Sequence, residues 1–149
     1  MTPLKMRTLR HLLMALLAGL GLLTALPAAA ELVVVVNPKS GVDRLTRDDV
    51  INIFLGRYRQ LPSGITAQPV DLPATQPEKA LMYRLLVGKD LDQIASYWSR
   101  LVFSGRTSPP IQATSTEEVL RYVAANRGAV GYVEHSRVDT RVRVVLEIQ

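Results

Sequence analysis

The five residues Leu32-Val33-Val34-Val35-Val36 constrain the fold more than any other stretch of the chain. A strand turns successive side chains to opposite faces of its sheet, so a β-branched run with no polar alternation predicts a strand buried on both faces. Asn37-Pro38 and Ser40-Gly41 end the run and force a turn. Such a strand belongs in the centre of an α/β sheet.

What precedes it reads as a leader. Lys5, Arg7 and Arg10 give a basic start, Leu12 to Leu26 form an apolar run, and Pro27-Ala28-Ala29-Ala30 close it with small residues. This is the layout of a cleaved secretory signal, and the run falls short of the roughly 20 apolar residues that span a bilayer. Residues 1–30 are therefore expected to be removed, with residues 31–149 forming one domain in the periplasm that starts at Glu31. No Cys follows the apolar run, so a lipid anchor is not expected. The formal charge of +5 includes the three basic residues of the leader, and the rest is nearly balanced. That leaves no footprint for nucleic acid. With no Cys the domain has no disulfides and relies on packing.

In 45-LTRDDVINIFLG-56, Thr46 is placed to cap a helix, Asp48 and Asp49 suit its first turn, and Val50, Ile53 and Phe54 share a face. Ala67 to Asp71 is a short strand whose Pro69 argues for an edge or a bulge. Pro77 to Val87 is a helix with Leu81, Met82 and Leu85 inward, stopped by Gly88. Residues 90–105 carry the stripe Leu91, Ile94, Ala95, Trp98, Leu101 and Val102 at helical spacing, with Trp98 as a core anchor. An extended connection with Pro109-Pro110 leads to a helix from Glu117 to Asn126, with Val119, Leu120, Val123 and Ala124 on one side. Gly128 is suited to a left-handed cap after it. Strands follow at Ala129–Val133 and at 141–148. The order β-α-β-α-α-α-β-β predicts a single-lobe α/β sandwich with a mixed sheet of about four strands.

Enzyme chemistry finds little support. Beyond the leader there is one His, His135, no Cys, no G-x-S-x-G, and no metal-ligand pair at helical spacing. No cofactor is implied. Anion binding fits better, because three predicted helix starts offer hydroxyls or free N–H groups: Ser40 and Gly41, Thr75, and the run Thr114, Ser115 and Thr116. Each is also explained by capping of its own helix.

Four motifs in order, 51-INIFLG-56, Pro62-Ser63-Gly64, 97-YWSRLVFSG-105 with Pro109-Pro110, and 128-GAVGYV-133, resemble the phosphate-type periplasmic solute-binding proteins of ABC transporters, and more closely their short stand-alone members. The resemblance implies a type-2 periplasmic-binding-protein fold, in which two α/β lobes close over an oxyanion. Residues 31–149 suffice for one lobe. It also implies an Arg and a Ser-Gly-Thr helix start after the second strand, where this chain reads 70-VDLPATQPEKA-80 and has neither; Glu78 opposes an anion there and Lys79 favours one.

Two functions follow as expectations. The first is a periplasmic, non-enzymatic solute-binding-like protein that takes phosphate or another oxyanion, alone or as a homodimer that places two lobes face to face. The second is a ligand-free envelope module that meets a membrane transporter or sensor through Tyr58, Leu61 and Ile65.

Overall fold

The computed structural model describes residues 30–149, so the expected leader lies outside the described residues except for Ala30. The described elements run β1 (Leu32–Val36), α1 (Arg47–Phe54), β2 (Gln68–Asp71), α2 (Pro77–Val87), α3 (Leu91–Phe103), β3 (Ile111–Gln112), α4 (Thr116–Ala125), β4 (Ala129–Glu134), a 3₁₀ turn (His135–Arg137) and β5 (Arg143–Ile148). They form one mixed sheet in the order β3-β2-β4-β1-β5. β1 runs antiparallel to both β4 and β5, while β2 runs parallel to β4 and to β3.

All five residues of β1 are buried, as the apolar run requires. Alternation along β4 shows what covers the two faces. Gly131 lies against Val119 and Val123 of α4, whereas its neighbour Tyr132 meets Phe54 of α1 edge to face, with ring centroids 5.8 Å apart. Helices therefore cover both sides of the sheet, and the core is the apolar layer on each. Burying one large aliphatic or aromatic side chain in such a layer contributes about 1.5–3 kcal/mol.

Helix starts follow the local sequence closely. Thr46 and Asp49 form a reciprocal capping box on α1, and Asp90 with Gln93 forms another on α3. Pro77 takes the first turn of α2, and Gly88 ends that helix at φ 69°.

Four expectations need correction. The sheet has five strands, not four, because the connection after α3 contributes β3, two residues too few to leave a periodic signal. On α2 the fully buried residues are Met82, Tyr83 and Leu86, with Leu81 and Leu85 only partly covered, so the helix is rotated from the face read off its leucines. Only Ile94 and Trp98 of the α3 stripe are buried; Leu91 and Leu101 are partly covered, and Ala95 and Val102 are exposed. Gly128, finally, does not take a left-handed conformation. The Nδ2 of Asn37 donates to the Val123 and Ala124 carbonyls, and that of Asn126 to the Tyr122 carbonyl, so the last turn of α4 needs no glycine cap. Gly128 is needed for space: a Cβ there would lie 2.0 Å from the Thr66 carbonyl oxygen.

Gly131 has a similar reason, since a Cβ would stand 2.6 Å from Val119 Cγ1. The Gly-x-x-Gly spacing thus lets a loop and a helix approach the sheet. Gly128→Ala is expected to lose about 3 kcal/mol in urea unfolding, at the upper end for overpacking, because a backbone carbonyl yields less than a side chain. Gly131→Ala should lose less.

Candidate functional site

The sheet brings together some of the predicted ligand residues and separates others. β2, β3 and β4 are mutually parallel, so the loops after β2 and β3, carrying Thr75 and Thr114, leave from the same edge. β1 opposes β4, with Val36 across from Val130 and Leu32 across from Glu134. Ser40 and Gly41, which follow β1, therefore lie at the other end of the sheet. Ser40 is 0% exposed, and its Oγ accepts from the Val42 N–H at 3.2 Å. Gly41 is exposed at φ 73°, against Ser63.

At the start of α4 the hydroxyls serve the helix itself. Ser115 is the N-cap and accepts from the Glu118 N–H at 3.1 Å. The Thr114 amide and hydroxyl both donate to the Glu118 carboxylate, and that hydroxyl bond lowers the Glu118 pKa. Thr116 is the first helical residue, and Arg141 holds Glu117 with Nη1 2.7 Å from Oε1. This end of the helix carries its own anions.

The start of α2 is different. Gln76 is its N-cap but makes no side-chain capping bond, and Thr75 just before it is exposed. Behind this turn, at the end of β2, lies a polar group that sequence reasoning did not single out. Asp71 is 2% exposed and is held on every side. The Tyr83 hydroxyl donates to its Oδ2 at 2.7 Å, the Tyr132 hydroxyl donates to its Oδ1, and the Leu72 N–H reaches the same oxygen at 3.0 Å. Lys79 brings its Nζ to 3.5 Å from Oδ2. A buried carboxylate survives in a core only when paired and hydrogen-bonded in this way. Nearby in sequence, Glu78 Oε2 is buried without a hydrogen-bond partner. The available clue was an Asp directly after an apolar strand residue; the two tyrosines that hold it, 12 and 61 positions away, left none.

Comparison with solved structures bears on this arrangement. No protein-family model matches the chain, and no curated protein matches it. Solved structures do. An ABC-type phosphate transport receptor from Vibrio cholerae superposes with a TM-score of 0.62 at 19% identity, over 77% of this chain and 45% of the receptor. A phosphate ABC transporter substrate-binding protein from Clostridium perfringens, determined with bound phosphate, gives 0.61 at 15%, over 77% and 44%. PstS from Borrelia burgdorferi gives 0.58 at 11%, over 77% and 46%. The fold is that of one part of a phosphate receptor. The chain spans less than half the length of these receptors, and at such identities the likeness is one of architecture. The mixed α/β sandwich expected from the sequence is thus observed, with one more strand.

His135 lies just beyond β4 and is exposed, its Nδ1 3.8 Å from Glu31 Oε2. Among the described residues, no helix is long and apolar enough to cross a membrane.

The Asp71 cluster has a pH signature. Burial first, and the adjacent Asp71 charge second, raise the hydroxyl pKa of Tyr83 and of Tyr132 far above the usual tyrosine value. Folding then favours the protonated phenols. Their contribution is complete below the unfolded tyrosine pKa of about 10 and is lost progressively above it. Ultraviolet titration should show that these two of the five tyrosines ionise only as the chain unfolds at alkaline pH. Tyr83→Phe should lower stability by about 1–3 kcal/mol by leaving Asp71 Oδ2 short of a donor.

Proposed function

We propose that this chain is a non-enzymatic solute-binding lobe of the phosphate-receptor kind, working in the periplasm once its leader is removed. The observation that carries the reading is the architectural match to phosphate transport receptors over 77% of the chain. The ligand is a small oxyanion, phosphate or a relative, taken at the start of α2. There the first turn has no side-chain N-cap, Thr75 is exposed, and Lys79, although paired with Asp71, adds a positive charge against the negative charge of Glu78. Neither an Arg nor a Ser-Gly-Thr follows β2, and one lobe cannot enclose the ion, so binding is weak unless a second copy or a transporter component closes over it. A membrane transporter or sensor is the partner this implies.

A second reading, an envelope module that docks without a ligand, draws on the exposed apolar side chains Tyr58, Val102, Phe103 and Ile111. Of the residues first expected to serve it, Tyr58 is exposed but Leu61 is buried and Ile65 half-buried.

Thermal denaturation with millimolar phosphate or sulfate, against chloride at equal ionic strength, separates the two. A ligand at one hundred times its Kd stabilises by about 2.7 kcal/mol, so the oxyanion reading expects a higher Tm, and an unchanged Tm favours the docking module.

A further inference from the structure

A cleft of about 660 Å³ opens beside the first residues of β2, between residues 56–59 and residues 105–109. Arg59, Arg106, Thr107 and Ser108 line it with polar groups, and Val102 and Ile111 give it an apolar side. Its lining includes no Asp or Glu. Among the described residues neither arginine makes an ion pair. Two guanidinium groups without counter-charges raise the local potential for an anion and present planar donors suited to carboxylate or phosphate. Arg59 is already positioned, because its Nη2 donates to the Arg106 carbonyl and ties the two loops across the cleft.

The backbone here rules against an added peptide strand. Just before β2 the Ala67 N–H donates to the Arg59 carbonyl at 2.9 Å; on β2 itself the Gln68 N–H donates to the Gly128 carbonyl at 2.8 Å, and Pro69 has no N–H. An extended segment laid along this edge would find no free donor from those residues. Recognition therefore falls to the side chains.

The volume lies within the range of about 300–1,000 Å³ typical of small-molecule sites, and a bare inorganic ion would leave the Val102 and Ile111 side unused. We propose that the cleft is a binding site for a small organic anion, a carboxylate or phosphate group joined to an apolar ring or short chain. The charged group meets Arg59 and Arg106 with the Thr107 and Ser108 hydroxyls, and the body covers Val102 and Ile111. The site stands at the start of β2, away from Asp71 at its end, and does not depend on the oxyanion reading above.

Trp98, the sole tryptophan, is a built-in reporter. A Cβ at Gly56 would lie 2.9 Å from Trp98 Cη2 and 2.8 Å from Thr107 Oγ1, so the indole sits directly behind two lining residues. The experiment titrates the chain from residue 30 onward, which contains every described element, with phenyl phosphate and with benzoate. Trp98 emission and Tm are followed, with inorganic phosphate and benzyl alcohol as comparators. The expected result is a saturable response to phenyl phosphate or benzoate. Affinity should fall about tenfold or more in Arg59→Gln and in Arg106→Gln, as for loss of a charged hydrogen bond; both are surface changes, and circular dichroism checks that the fold is kept. Benzyl alcohol binding as well as either anion would overturn the proposal, because charge would then play no part. A response undiminished in both variants would overturn it too, as would no response at millimolar concentration. A response to inorganic phosphate that survives both substitutions supports the α2 site alone.

Discussion

Burial of β1 on both faces is the constraint from which the rest of the architecture follows. A five-residue strand with no polar side chain cannot lie at a wet surface, so α4 must cover one side of the sheet and the layer containing α1 the other. The antiparallel neighbours β4 and β5 satisfy its backbone, and Asn37 at its end reaches across to the last carbonyls of α4. One side chain thereby ends the strand, starts the turn and closes a helix. Gly128 just before β4 and Gly131 within it serve the same packing, because a loop and a helix come close enough to the sheet that a methyl group would collide.

At the far end of β2 the core accepts a charge instead of excluding one. Asp71 is tolerable there because two phenols, an amide and a lysine ammonium surround it, and together they join β2, α2 and β4 into one polar joint. Pairing Lys79 with a buried carboxylate also takes up much of the positive charge that this residue brings to the first turn of α2. Anion capture in this lobe is accordingly a matter of surplus potential, and the protein's internal ion pair sets how much remains. The cleft at the start of β2 has the opposite character, with two arginines that make no ion pair among the described residues.

Much of the fold was legible because it rests on local rules. The β1 run, the Thr46 cap, Pro77 and Gly88 at the two ends of α2, and the α4 stripe all act within a few residues of themselves. What escaped depended on distant pairing. β3 exists only because Ile111 and Gln112 lie beside Val70 and Asp71. Gly128 owes its identity to Thr66, which the local sequence cannot announce. The buried face of α2 includes Tyr83, whose hydroxyl meets Asp71 across the core, whereas its leucines alone suggest a different face. The hydroxyl-rich helix starts were readable as candidates, but whether they cap themselves or stay open turned on Glu118 in one case and on an unhelpful Gln76 in the other.

The two-residue β3, preceded by Pro109-Pro110, has a consequence for self-association. A sheet that ends in a long flat strand invites another chain to add itself, and short borders with prolines discourage it. This border offers too little ladder for a stranger to climb, so self-association through it is disfavoured even with apolar side chains exposed alongside. The opposite border, β5, is six residues long and is guarded by other means: its register against β1 shifts, the Leu45 N–H occupies the Val145 carbonyl, and Arg143 and Glu147 put charge along it.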